Sequence, residues 1–124
     1  MQLLLLNKNG EKEWVPMDKI CFVSHSSKGP KFMTKSGASY QYPQTMEQVM
    51  LVFGPFGYER LDRNVVVNMA AAVSYNPVER NVYFDDTAEN GSGLYATVSG
   101  ANVDKVKHLI IRENEGVTYA TSAA

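Results

Sequence analysis

The chain has 124 residues, enough for one ordinary domain and not for a second. Hydrophobic residues make up 44% and charged residues 20%, which excludes a disordered chain. A net charge of -1 and a pI near 6.1 exclude a globally basic nucleic-acid coat, so any nucleic acid would have to be held by a local basic patch.

Taken in chain order, Gln2–Leu6 reads as an apolar strand, Asn7–Gly10 as a turn and Glu13–Val15 as the returning strand of a hairpin. The leucine run Leu3 to Leu6 is too short for a secretory core of about 7–15 apolar residues or a span of about 20. No membrane partner is therefore expected. A helical turn at Asp18 and Lys19 follows Pro16, and Ile20–Val23 forms a short strand. The single cysteine, Cys21, lies between Ile20 and Phe22. It reads as an inert buried thiol in a reducing, cytoplasmic setting.

The segment "SHSSKGPK" reads as a loop, because it carries three serines, Gly29 and Pro30. Lys31–Thr34 and Ser39–Tyr42 form a second hairpin around "KSGA". Thr45 is the expected cap of a helix whose apolar face is Met46, Val49, Met50 and Phe53, ended by Gly54–Pro55. Tyr58–Leu61, Val65–Val67 and Val73–Tyr75 are β-prone. Val82–Phe84 and Leu94–Val98 should pair across "DDTAENGSG". Ser99–Ile111 reads as a closing α-helix capped by Ser99, with Val103, Val106, Ile110 and Ile111 as its apolar stripe. The pattern predicts a mainly β domain over residues 1–112 and a small, polar tail over 113–124.

The order of parts resembles the LytTR-type DNA-binding domain of bacterial response regulators. The most specific block is "YERLDRNVVVNMAAAVSY", where Arg60, Asp62, Arg63 and Val65 to Asn68 occupy the places of the family's aromatic-Arg step, polar pair and Val-Asn run. The blocks "MDKICFVSHSSKGPKFMTKSG", "YPQTMEQVMLVF" and "NVYFDD…GLYATVSGANVDKVKHLI" follow the family's order, and together the likeness covers about residues 15–110. It implies an elongated antiparallel fold of about ten short strands with one or two short helices. It also implies loops that enter successive major grooves of double-stranded DNA, and a homodimer on direct-repeat sites. On that basis the chain is expected to be a stand-alone, cytoplasmic bacterial transcription regulator. It departs from the family pattern at Lys28–Gly29, Asp62–Arg63 and Ser99–Gly100, where members often carry histidine, His-Asn or His-Arg, and arginine.

The residues themselves supply chemistry of the same kind. No acid stands between Asp18 and Glu47, while Lys19, Lys28, Lys31 and Lys35 all do. These lysines offer charge to phosphates, and Ser24, Ser26 and Ser27 offer hydroxyls; the alternative is a solvated lysine surface. Arg63 and Asn64 are the usual residue types for bidentate reading of guanine and adenine. The alternative for them is a plain turn held by Asx bonds. Arg60 fits either a phosphate contact or an ion pair with Glu59 or Asp62. His25 could touch phosphate or base, and Ser99 and Asn102 could place backbone N–H groups on a phosphate or simply cap the helix. Lys28, Lys31, Arg60 and Arg63 are expected on one face. Asn68 is expected to bond backbone, His108 to be structural, and Tyr40, Tyr42, Phe53, Phe56 and Tyr58 to pack in the core.

No zinc spacing, phosphate loop or acid/base dyad appears, so neither enzyme activity nor a metal or cofactor is expected. The rival reading is a protein-binding module that keeps the fold without strong DNA binding, favoured by the pI and by Asp62.

Overall fold

The structure, a computed structural model, describes residues 2–42, 44–84 and 94–109. Among these residues, ten short strands form two antiparallel sheets. Strands β1 (Gln2–Leu6), β2 (Lys12–Pro16), β3 (Ile20–Ser26), β4 (Gly29–Thr34), β5 (Ser39–Gln41), β6 (Tyr58–Asp62) and β7 (Val65–Asn68) build the larger sheet, in the order β2-β1-β5-β4-β3-β7-β6. Strands β8 (Ser74–Asn76), β9 (Asn81–Tyr83) and β10 (Tyr95–Thr97) build the smaller one.

The first hairpin turns where Asn7 accepts the N–H groups of Asn9 and Glu11 on its side-chain oxygen, at 2.9 and 3.0 Å. Helix α1 (Met46–Phe53) starts at a capping box: the Thr45 hydroxyl accepts from the Gln48 N–H while the Gln48 side chain accepts from the Thr45 N–H. A 3-10 turn, Gly54–Phe56, ends at Gly57, whose φ of 88° is at ease only for a residue without Cβ.

Strand alternation splits the core into two clusters on opposite faces of the large sheet. Phe22 and Val67 point one way, into a cluster with Leu61, Tyr75, Val82, Phe84, Ala96, Val106 and Leu109. Val23 and Val66 point the other way, toward Phe32, Leu5, Ile20 and the Met46, Val49 and Phe53 face of α1. Stacked Phe22 and Phe84, 5.6 Å between ring centres, tie the smaller sheet to the first cluster. Phe53 meets Tyr58 edge-on at 5.0 Å in the second. Cys21 is buried, as expected.

Five expectations need correction. The loop "SHSSKGPK" is mostly strand, because β3 is paired on both sides, by β4 and β7, and the ladder with β4 runs to Ser26 and Gly29. The closing element is a 3-10 helix over Gly100–Val106, not an α-helix, and only Lys107–Leu109 turn α-helical. The inward residues Val103, Val106 and Leu109 explain this, since a spacing of three suits 3.0 residues per turn. Ser99 stands at the cap position without capping through its side chain. Phe56 is 51% exposed instead of packed, and His108 is exposed. Ile110, Ile111, Asp85, Asp86, Glu89 and the tail 113–124 lie outside the described residues.

Candidate nucleic-acid interface

Three turns meet at one end of the large sheet. The β3–β4 turn is held by Ser26, whose hydroxyl donates to the Gly29 carbonyl at 2.6 Å and accepts from the Lys28 N–H at 3.3 Å. Gly29 has φ 104°, a conformation that explains glycine there. The β6–β7 turn is Asp62–Arg63–Asn64–Val65, and the Asp62 carboxylate accepts the Arg63 N–H at 2.6 Å. Asp62 thus shapes the turn through backbone. The two turns adjoin because β3 and β7 are paired, and the Asn64 carbonyl accepts from the His25 N–H at 3.0 Å. The third component is the start of the closing 3-10 helix: the Ser99 N–H donates to the Leu61 carbonyl at 2.8 Å, one residue before Asp62.

His25, Lys28, Arg63 and Asn64 are all exposed at this end. Lys31 lies two residues into β4, paired with Ser24 and Gln41, and is partly buried. It shares a polar depression of about 280 Å3 with Lys8, Lys28, Ser26, Ser27 and Ser39. Such a cluster of ammonium and hydroxyl groups is suited to an anionic oxygen. Lys8 was missed in the sequence, because it belongs to the first hairpin and only the sheet order brings it beside β4 and β5.

Arg60 departs from expectation. It lies in register with Val66 and Val23, whereas Lys31 lies in register with Ser24 and Val65, so the two side chains leave opposite faces of the sheet. The four cations therefore share an end of the sheet and not a face. The Arg60 guanidinium is turned toward the β6–β7 turn and α1. Its Nε donates to the Arg63 carbonyl at 2.9 Å, Nη2 bonds the same oxygen, and Nη1 is 3.3 Å from Glu47. Its ion-pair partner is thus on α1, not Glu59 or Asp62. The Glu47 carboxyl is held below the usual carboxylate range, first by its own backbone N–H and then by Arg60. Glu59 is engaged by Lys105, 3.7 Å away, whose ammonium also donates to the Arg60 carbonyl at 3.1 Å.

At the third component the expected backbone donors are already spent. Ser99 N–H goes to Leu61, Asn102 N–H goes to the Ser99 carbonyl, and Asn102 Nδ2 donates to Ser99 Oγ at 2.7 Å. Asn68 bonds backbone as expected, donating to the Ile20 carbonyl at 2.9 Å. Among the described residues, Lys28, Lys31, Arg63 and Arg80 form no ion pair. The net result is an end of the sheet rich in cations without ion pairs among the described residues, whose neighbouring acids Glu47 and Glu59 are engaged by Arg60 and Lys105.

No protein-family model matches this sequence, and no curated protein matches it. Among solved structures, the chain is similar to the LytTr DNA-binding domain of a protein described as a methyl-accepting/DNA response regulator from Bacillus cereus. The TM-score is 0.66 at 14% identity, over 87% of this chain and 94% of that one. The chain has a LytTR-type fold. The likeness extends to the mainly β architecture with about ten short antiparallel strands and short helices. Within this LytTR-type fold, sequence reasoning also missed Arg80, in the turn before β9, since nothing in "NPVERN" distinguishes it from any surface turn. No helix among the described residues is long and apolar enough to cross a membrane.

Proposed function

We propose that this LytTR-type domain is not an enzyme but a sequence-specific transcriptional regulator that binds double-stranded DNA, as a pair on direct-repeat sites. The observation that carries the reading is the convergence of the β3–β4 turn, the β6–β7 turn and the closing 3-10 helix at one cation-rich end of the sheet. Lys28, Lys31 and Lys8 hold phosphates in this arrangement. Arg63 and Asn64, exposed on a turn only as wide as a hairpin, enter the major groove and contact base edges. His25 adds a contact beside Asn64. Arg60 acts from behind, as a brace for the Arg63 carbonyl. The acidic pI is no obstacle, because the positive charge needed is local.

The test is selection of bound fragments from a genomic library, followed by titration of the recovered duplex and a scrambled duplex at several salt concentrations. Binding of the selected duplex at least 1000-fold tighter, on the order expected for specific recognition, supports the proposal. Equal binding of both duplexes, or of neither, refutes it.

A second reading, a protein-binding module, draws on one observation. Leu51, Val52 and Phe56 stand exposed together on α1 and the following turn, Leu51 at 78%. A domain that binds no duplex at low salt but associates through that surface would favour this reading.

A further inference from the structure

Arg80 holds a backbone conformation that few residues with a Cβ adopt. Its φ is 58°, the one positive value at a non-glycine position among the described residues. A residue with Cβ in this region costs roughly 1 kcal/mol relative to glycine, and asparagine or glycine would fill it more easily. The surrounding turn holds it there. Asn76 Oδ1 accepts from the N–H groups of Val78 and Glu79, at 2.9 and 3.1 Å, and the Asn76 carbonyl accepts from the Arg80 N–H at 2.8 Å. The Arg80 carbonyl in turn accepts from the Val98 N–H at 2.8 Å, which fixes the turn against the strand that leads into Ser99.

The side chain then lies across Gly100. A Cβ built at Gly100 would stand 2.9 Å from Arg80 Nη1, closer than real Cβ contacts occur. Gly100 has no need of a positive φ, so the space over its Cα is what separates it from alanine. Among the described residues, no acid forms an ion pair with the guanidinium. The neighbouring Glu79 carboxylate accepts instead from Asn76 Nδ2 and from the Tyr83 hydroxyl. Arg80 is exposed, and a chain of backbone bonds runs from it through Val98 and Ser99 to Leu61 and the Arg63 turn. Arg80 is thereby tied to the strand end that carries the Arg63 turn.

We propose that Arg80, resting on Gly100, is a further cationic contact of this end, bonding a DNA phosphate beside the groove that Arg63 enters. The inference rests on the DNA-binding reading above and goes beyond it by assigning a residue and its seat. A phosphate is the partner because the guanidinium sits over Gly100 at the start of the 3-10 helix, whereas Arg63 occupies a hairpin turn. An arginine fork suits bidentate phosphate contact.

A double-mutant cycle tests it. Arg80→Asn removes the charge with a residue that tolerates positive φ. Gly100→Ala leaves the charge and displaces the guanidinium. Both variants and the double variant are titrated with the selected and the scrambled duplex between 50 and 300 mM salt, with melting curves as a folding check. Arg80→Asn should weaken both duplexes alike, by roughly eightfold at 0.1 M salt, and lower the salt slope by about one contact. Gly100→Ala should weaken binding in the parent background and change nothing in the Arg80→Asn background. Arg80→Asn binding like a parent that does bind DNA overturns this inference and leaves the functional proposal standing. A loss from Gly100→Ala that persists without Arg80 overturns the seat. A parent that binds neither duplex overturns the functional proposal and the inference with it. A variant with a lowered melting temperature is read instead by the Arg80 side-chain NMR signal of the parent protein. A shift of that signal on adding either duplex supports the contact, and an unmoved signal refutes it.

Discussion

Replacing Arg60 with methionine separates a brace from a contact. The guanidinium donates Nε to the Arg63 carbonyl at 2.9 Å, bonds that oxygen again through Nη2, and reaches Glu47 through Nη1 at 3.3 Å. Its side chain is 31% exposed, so these bonds are partly wet. A charge-assisted bond contributes about 1.5–3 kcal/mol when dry, but two donors here share one acceptor near solvent, which brings the turn's gain to about 1 kcal/mol. The ion pair with Glu47 is screened and adds little. Methionine keeps the aliphatic volume against α1, so the loss isolates the polar head. The melting temperature should fall by about 5 °C for a domain of this size. The salt slope should be unchanged, because no phosphate contact is removed. Preference for the selected duplex over the scrambled one should narrow, since the Arg63 turn loses its support. Lysine should not rescue it, because a point ammonium cannot reproduce the fork. A salt slope lower by about one, with an unmoved melting temperature, would refute the reasoning and make Arg60 a phosphate contact.

Lys31→Ala should weaken the selected and scrambled duplexes equally and lower the salt slope by about one, while Arg63→Ala should cost roughly 1–3 kcal/mol on the selected duplex alone. Equal losses for Arg63→Ala on both duplexes would remove its reading role. Tyr58 donates to the Met17 carbonyl at 2.8 Å, and its phenol is raised above the usual value of 10, first by burial and then by the charges of Cys21 and Asp18. A raised folded value means that its contribution is whole below pH 10 and is lost as the pH rises beyond it. Urea titrations should therefore show stability falling above pH 10, and Tyr58→Phe should cost about 1–2 kcal/mol at neutral pH and flatten that fall. An unchanged alkaline slope in Tyr58→Phe would show that another group is responsible. Tyr75 is buried with no hydrogen-bond partner for its hydroxyl among the described residues, so Tyr75→Phe should raise stability by about 1 kcal/mol. A lower melting temperature would show that the hydroxyl is satisfied.

Strands and α1 were legible because their signals are local. A leucine run marked β1, β-prone residues marked β6 and β7, and the spacing of Met46, Val49 and Phe53 marked the helix, whose Thr45 cap closed as its chemistry predicts. The closing element was misread because Val103 and Val106 fit both a 3.6 and a 3.0 period over so short a run. The β3–β4 segment was misread because serine and glycine argue for a loop, while the two flanking strands that keep it extended are distant in sequence. The cations divide in the same way. Lys28 and Arg63 could be named because turn chemistry surrounds them. Lys8, Arg80 and the Arg60–Glu47 pair depend on contacts between segments far apart in the chain.

The distinction between face and end follows from the same geometry. A face of the large sheet cannot present the cations together, because each face carries a core: the smaller sheet and the 3-10 helix on one side, α1 on the other. Residues in neighbouring rows, such as Lys31 and Arg60, are forced apart by the pleat. Only the turns escape this rule, since a hairpin tip projects along the strand axis and leaves both cores intact. Pairing β3 with β7 sets two tips side by side, and the Ser99–Leu61 bond adds the 3-10 helix. Residues placed there can change without repacking either core, which a residue such as Phe22 or Val66, buried on a face, could not do. A fold of this kind can therefore keep its architecture at 14% identity to a solved structure, with its two cores intact and its turns free to vary.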